Sequence, residues 1–157
     1  MKAEFANVFI RSAVHVFQKE LNITLTRQSL VKKNAPIPGL PICIVIGITG
    51  NIKGQIVYSI DRSFAQDITH AMLPNKLPHD LRNYVNSAVG EIGNMITGQA
   101  SIAMAGQDRI IQLTPPAVFT GTEMYFDFLQ MPTISLRLLS EMGMLEINIA
   151  IMEEMNI

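Results

Sequence analysis

Residues 81–104, with the sequence LRNYVNSAVGEIGNMITGQASIAM, form the longest segment of helical periodicity in the chain. Three glycines, Gly90, Gly93 and Gly98, lie inside it, and each costs about 1 kcal/mol relative to alanine in a helix. Because a stable helix seldom keeps such residues without a use, we expect another backbone or a partner to approach closely there. The apolar residues recur at spacings of three and four and predict one buried stripe: Leu81, Val85, Ala88, Ile92, Met95, Ile96 and Ala103.

A second face of the same predicted helix is polar and carries small residues. Glu91 and Asn94 are three residues apart, so their side chains are neighbours on the helix surface. Few bulky side chains surround the pair, and we predict that the protein acts through this face. The other members of the face are Asn83, Ser87, Gly98 and Ser101.

The composition is that of an ordinary globular protein. The chain has 157 residues, of which 48% are hydrophobic, and a formal net charge of −1. This length suits a single domain over residues 1–157 with its own core. Lysine and arginine are not clustered, so we expect no nucleic-acid partner. The opening MKAEFANVF lacks the apolar region of a signal peptide, and no apolar run could span a membrane, so we expect a cytoplasmic protein without a membrane partner.

The rest of the chain combines two further helices with many short strands. Residues 3–21 predict an amphipathic helix that ends at Asn22, and residues 64–73 predict a second one, capped by Asp61 or Ser63. Short connectors make parallel crossovers scarce. The pattern predicts an α+β fold, a mostly antiparallel β-sheet with long helices packed on it. The predicted strands cover residues 23–31, 42–49, 55–60, 110–113, 117–119, 124–131, 133–140 and 145–152, and residues 34–41 are expected to be a loop.

The motifs of metal enzymes and of nucleophilic hydrolases are missing. His15, His70 and His79 are far apart in sequence, with no carboxylate or cysteine at ligand spacing, so we interpret them as surface residues rather than metal ligands. There is no phosphate-binding P-loop and no Gly-x-Ser-x-Gly motif. The single cysteine, Cys43, lies in the apolar run ICIVIGI and is interpreted as a buried core residue. We therefore expect no metal and no cofactor of the protein's own.

Glutamate and asparagine occur three residues apart at three places: Glu4/Asn7, Glu91/Asn94 and Glu153/Asn156. Three copies are unsurprising for this composition, so the spacing alone leaves a solvated helix face as the alternative interpretation. Only the middle pair lies within a long helix with glycines on either side. The context, rather than the spacing, makes this pair the candidate site.

The segment NSAVGEIGNMITGQA, residues 86–100, resembles the signature helix of the CheC/CheX/FliY family of bacterial chemotaxis phosphatases. Two more stretches, IGITGNIKGQIVYSI at residues 46–60 and LTPPAVFTG at residues 113–121, are similar to the CheX type in particular. The order and spacing of the three stretches match, and the resemblance covers most of the chain. CheX-type members carry a single Glu-x-x-Asn helix, the later one, and only the later helix has the full glycine frame here.

The resemblance implies a phosphatase that hydrolyses the aspartyl phosphate of a phosphorylated CheY-like response regulator. The regulator's receiver domain would supply the phosphoaspartate and its Mg²⁺. Phosphoryl transfer depends on positioning and charge neutralisation more than on covalent chemistry. The resemblance implies that Asn94 orients the attacking water and that Glu91 pairs with a lysine of the regulator. Small neighbouring residues would let the regulator's loops come close: Ser87, Gly90, Gly98 and Ser101.

Two alternatives stay open at the level of sequence. The same residues suit a regulator-binding or flagellar-switch-like module without catalysis, and they also suit a structural oligomerisation domain. The resemblance further implies a homodimer with a sheet shared between subunits. The last strands, FDFLQM, ISLRLL and LEINIAI, are apolar and lightly charged, and such strands pair readily where they form sheet edges.

Overall fold

A seven-stranded sheet forms the centre of the protein, and helices pack on one of its faces. The computed structural model describes residues 3–127 and 131–153. The helices are α1 (Ala3–Val16), α2 (Arg62–Met72), α3 (Pro78–Leu81) and α4 (Val85–Ala105). The strands are β1 (Thr26–Lys33), β2 (Ile37–Pro38), β3 (Ile42–Gly50), β4 (Ile52–Ile60), β5 (Ile111–Leu113), β6 (Ala117–Thr120), β7 (Tyr125–Phe126), β8 (Thr133–Leu139) and β9 (Met144–Glu153). The predicted α+β class is confirmed.

The strands of the main sheet follow the order β1-β8-β9-β4-β3-β5, and β6 pairs with β3 beside β5. All the pairs in the described part of the chain are antiparallel. β8 and β9 each have a neighbour on both sides, so the expectation that the last strands form a pairing edge is wrong for these two. The free edges belong to β1 on one side and to β5 and β6 on the other.

The N-terminal helix extends beyond its α-helical part. α1 continues as a π-helical turn, Phe17–Leu21, and Asn22 ends it with a left-handed backbone at φ 54°. The helix predicted over residues 3–21 is therefore confirmed in extent. β1 begins later than predicted, because Ile23 and Leu25 bury their side chains in the core before the sheet starts.

The segment predicted as one helix over residues 81–104 is divided. α3 is followed by a 3₁₀ turn, Arg82–Tyr84, before α4 begins. The division falls at Tyr84, whose φ of −113° and ψ of −2° lie outside the α-helical range. α4 then runs for 21 residues, and it ends at Gly106, which has a positive φ of 57° that suits glycine.

At three shorter segments the structure adds detail to the predicted secondary structure. The Asp61 carboxylate caps α2 by accepting a hydrogen bond from the Phe64 N–H at 2.7 Å. The predicted loop over residues 34–41 contains β2, which pairs with β7. The strand predicted over residues 124–131 has only the two residues of β7 in the described part, and residues 128–130 lie outside it.

The main core lies between the helices and the inner face of the sheet. Alternate residues of β3, β4, β8 and β9 point into it together with the apolar faces of α1, α2 and α4. A smaller cluster on the opposite sheet face contains Cys43, which is fully buried as predicted. Burial raises the pKa of the Cys43 thiol, although a hydrogen bond with Ser59 acts in the lowering direction.

Candidate active site

The inner face of α4 packs directly on the sheet through two of its glycines. A Cβ atom added at Gly93 would lie 3.1 Å from Ile44 Cγ2 and 3.4 Å from Tyr58 Cδ2. A Cβ atom added at Gly90 would lie 3.4 Å from Val118 Cγ2 on β6. Both glycines are buried, so their lack of a side chain lets α4 approach the sheet closely.

This packing corrects the role expected of Gly90. The sequence predicts that Gly90 leaves room for a partner on the helix surface, yet the side chains of Pro116 and Val118 already cover it. Helical spacing places Gly90 between the buried and the exposed faces, so the sequence alone does not show that β6 covers it. Gly90 therefore lets α4 pack closely on β6 and leaves no open surface there.

The outer face of α4 holds the other predicted site residues together. Ser87 and Glu91 are exposed, and Asn94 is half-buried. A Cβ atom added at Gly98 would meet no described atom within 4 Å. Ser101 is half-buried, and its hydroxyl donates to the Gly98 carbonyl oxygen at 2.7 Å. Open space at Gly98 therefore lies one turn after Asn94 on this outer face.

Glu91 and Asn94 are available for contacts outside the protein. Across residues 3–127 and 131–153, neither side chain takes part in a hydrogen bond or an ion pair. A carboxylate only accepts hydrogen bonds when ionised, whereas an amide both donates and accepts them. This pair can therefore bind a cation and orient a water molecule on adjacent positions of one helix turn.

Beneath this turn, two buried hydroxyl groups connect β4 to α4. The hydroxyl oxygens of Tyr58 and Thr97 are 2.7 Å apart, and Thr97 Oγ1 donates to the Gly93 carbonyl oxygen at 2.8 Å. Burial raises the pKa of Tyr58, with the Thr97 hydrogen bond opposing the shift. The phenol therefore keeps its proton at neutral pH. Sequence reasoning missed this contact because 39 residues separate its members.

Sequence reasoning also missed Ile102, whose side chain is 76% exposed. It lies eleven residues, or three helical turns, after Glu91 and therefore on the same face. Gly98 stands one turn before it. The sequence does contain a signal for it, because Ile102 is a large apolar residue that falls outside the predicted buried stripe. Ala103, which the predicted stripe includes, is exposed.

The other two Glu-x-x-Asn pairs have different surroundings. Glu4 and Asn7 are exposed on α1 and line an open cleft of about 550 Å³ together with Arg11 and Arg109. The third pair includes Asn156, which lies outside the described residues. Of the two pairs that lie wholly within the described residues, only Glu91 and Asn94 lie beside an open glycine in the interior of a helix.

The described residues contain no group of three or more histidine, cysteine, aspartate or glutamate side chains that could hold a metal ion. His15 and His70 are exposed, and His79 Nε2 lies 3.5 Å from Asp80 Oδ1. None of the helices in this part of the chain has the length and apolar character needed to cross a lipid bilayer.

The chain is similar to known chemotaxis proteins in sequence. The model of the family described as chemotaxis phosphatase CheX matches residues 42–139, more than half of the chain. The CheY-P phosphatase CheX of Thermotoga maritima is 30% identical over 125 residues, which cover 79% of this chain and 80% of that protein. The family match includes α4 together with strands β3 to β8.

Solved structures share the fold. The chemotaxis protein CheX of Vibrio vulnificus gives a TM-score of 0.83 at 27% identity, covering 96% of this chain and 100% of that chain. CheX of Borrelia burgdorferi, crystallised in a complex with CheY, BeF3 and Mg²⁺, gives a TM-score of 0.77 at 19% identity, covering 97% of this chain and 100% of that chain. Sequence and fold agree that this chain belongs to the chemotaxis phosphatase CheX family.

Proposed function

We propose that this protein hydrolyses the aspartyl phosphate of a CheY-like response regulator. The observation that carries the proposal is the similarity, over 79% of the chain, to a relative named as a CheY-P phosphatase. The position of exposed Glu91 and half-buried Asn94 on the outer face of α4 supports it, because this surface suits contact with a partner better than enclosure of a small substrate.

Asn94 acts as the water-orienting residue in this proposal. Its amide can accept a hydrogen bond from the attacking water while donating to an oxygen of the phosphoryl group. The open space at Gly98, one turn later, admits the regulator's loops next to it. An amide takes no proton at neutral pH, so Asn94 contributes by positioning, which is the main requirement of phosphoryl transfer.

Glu91 fixes the register between the two proteins. Its carboxylate is exposed and has no partner among the described residues, so it is available to pair with a lysine of the regulator. Charge-assisted hydrogen bonds of this kind are stronger than neutral ones. Because Glu91 precedes Asn94 by less than one turn, this contact would set the direction from which Asn94 enters the regulator's site.

The metal in this reaction belongs to the regulator. The CheX of Borrelia burgdorferi was crystallised with CheY and Mg²⁺, and we assign the ion here to the receiver domain in the same way. Mg²⁺ neutralises charge on the transferring phosphoryl group, and α4 of this protein supplies the water-orienting amide from outside. Small residues of the face, Ser87, Gly98 and Ser101, make room for that approach.

The proposal is tested by following the lifetime of phosphate on a CheY receiver domain. Asn94→Ala should lower the hydrolysis rate by roughly 10²–10³, or about 2.7–4 kcal/mol, and change affinity by only a few fold, because the amide acts mainly in the transition state. Glu91→Lys should weaken binding in a salt-dependent manner, because it sets a cation against the regulator's lysine.

The pair on α1 provides matched controls. Asn7→Ala and Glu4→Lys make the same changes at the same spacing on another exposed helix face, and both should leave the phosphate lifetime unchanged. Full activity of Asn94→Ala would overturn the mechanism. If the unaltered protein bound the phosphorylated receiver without shortening the phosphate lifetime, the protein would be a binding module instead.

We also propose that the protein is a homodimer formed through a sheet edge. β1 carries Arg27, Lys32 and Lys33, and charged side chains on an edge strand discourage pairing. The opposite edge is made by β5 and β6; exposed Ile110 directly precedes β5, and exposed Phe119 lies in β6. This second edge is therefore the better candidate for pairing with another copy of the chain.

A further inference from the structure

Two buried side chains lie directly under the turn of α4 that carries the proposed site. Tyr58 is 1% exposed and Thr97 is fully buried. Thr97 Oγ1 uses its proton to donate to the Gly93 carbonyl oxygen at 2.8 Å, so the Tyr58 hydroxyl, 2.7 Å away, is the donor to Thr97. The resulting chain of hydrogen bonds runs from β4 to the peptide group that joins Gly93 to Asn94.

We propose that Tyr58 and Thr97 are positioning residues that fix this peptide group and thereby the direction of the Asn94 side chain. The inference rests on the proposed function, in which Asn94 must hold a water molecule in line with the leaving oxygen. Both hydroxyls are buried, so neither touches the regulator. Placement matters for such a step, because an error of 1 Å can cost about 10²-fold in rate.

Packing alone does not require these hydroxyl groups. Phenylalanine at position 58 and valine at position 97 would fill nearly the same space, and replacing both partners of a buried hydrogen bond by apolar groups can be nearly neutral for stability. The hydroxyl groups instead fix the direction in which the Asn94 side chain points. Through Thr97, the Tyr58 side chain connects β4 to one carbonyl group of α4. This is the turn where a Cβ atom added at Gly93 would lie 3.4 Å from Tyr58 Cδ2.

The chain contains a matched control for this contact. Thr69 is also fully buried in a helix, α2, and its hydroxyl donates to the Ala65 carbonyl oxygen at 2.7 Å. The hydrogen bond has the same four-residue spacing as that of Thr97 but lies in a different helix. Thr69→Val therefore removes the same type of hydrogen bond without affecting the peptide next to Asn94.

The test compares kcat and KM for dephosphorylation of a phosphorylated CheY receiver domain. Thr97→Val should lower kcat about tenfold, less than the roughly 10²-fold cost of a 1 Å displacement, and leave KM within about twofold, since binding contacts are retained. Thr97→Ser keeps the hydroxyl and should restore kcat. Tyr58→Phe should lower kcat in the same direction by a smaller factor, and Thr69→Val should change neither constant.

A second readout does not depend on activity. The ¹⁵N NMR signals of the Asn94 side-chain amide in the protein alone should shift or broaden in Thr97→Val and Tyr58→Phe, but not in Thr69→Val. An unchanged kcat and unchanged Asn94 signals in Thr97→Val would overturn the inference while the proposed function stands. If the unaltered protein failed to dephosphorylate the regulator, the proposed function would fail, and the NMR comparison would still decide whether the hydroxyls orient Asn94.

Discussion

Gly98→Arg is expected to make the protein more stable and, at the same time, unable to bind its regulator. Gly98 lies in the interior of α4, where arginine is a far better helix former, so the substitution should add about 0.8 kcal/mol to the free energy of unfolding. Nothing opposes this gain, because an added Cβ would meet no described atom within 4 Å. For a protein of this size, the thermal midpoint should rise by about 2–3 °C.

The loss of binding follows from the same open space. Gly98 lies between Asn94 and Ile102 on the outer face of α4, so a long cationic side chain there would occupy the volume that the regulator's loops must enter. Burying that cation without a partner would be costly. We expect the affinity for a phosphorylated receiver domain to fall by at least about 10²-fold, or about 2.8 kcal/mol.

The assay combines thermal unfolding, followed by circular dichroism, with a fluorescence titration of the phosphorylated receiver domain. Gln99→Arg is the control, because Gln99 is exposed and adjacent in sequence but about 100° away around the helix. It adds the same charge and should change neither the midpoint nor the affinity. Ser87→Arg, on the proposed face, should weaken binding as Gly98→Arg does. Normal binding by Gly98→Arg would show that this face is not the docking surface, and a lowered midpoint would refute the stability argument.

Three further outcomes test the packing described above. Gly93→Ala should lower the free energy of unfolding by up to about 2 kcal/mol, since overpacking against Ile44 at 3.1 Å outweighs the helix-propensity gain; a more stable variant in urea unfolding would contradict this. Burial raises the pKa of the Cys43 thiol, so its contribution to stability should be complete below about pH 8.5, where the unfolded thiol ionises, and decline at higher pH. That decline should be weaker in Cys43→Ala when urea unfolding is compared at neutral and alkaline pH. Light scattering of the unaltered protein should give a mass of about twice the 17.4 kDa of one chain. Phe119→Lys, at the β6 edge, should lower that measured mass. A mass of one chain for the unaltered protein would refute the dimer.

The fold class could be predicted because local sequence patterns determine where several helices begin and end. The amphipathic helix over residues 3–21 and the Asp61 cap both appear where the sequence predicts them. The boundaries that were misplaced depend on tertiary contacts. Ile23 and Leu25 have the composition of a strand, yet they are drawn into the core before the sheet begins, and no local propensity distinguishes these two outcomes.

The candidate site can be proposed in part from the sequence, because its residues are close together along the chain. Helical spacing alone places Glu91 next to Asn94, and it also places Gly98 one turn away. It does not show which glycine is covered, because Gly90 meets Val118 through the distant strand β6. The contact between Tyr58 and Thr97 could not be predicted from the sequence either, because it depends on how β4 packs against α4.

The three glycines of α4 explain how its inner face can pack tightly on the sheet while its outer face stays accessible to a partner. Gly90 and Gly93 bring its inner face against the sheet, where the Tyr58 and Thr97 hydroxyls hold the backbone. Gly98 has no such neighbour, so its cost of about 1 kcal/mol is not offset by any contact with the described residues. The proposed contact with the regulator provides the compensation. An amide on a fixed backbone, with both its donor and its acceptor unused, is prepared to orient a water molecule when the partner supplies the phosphate and the metal.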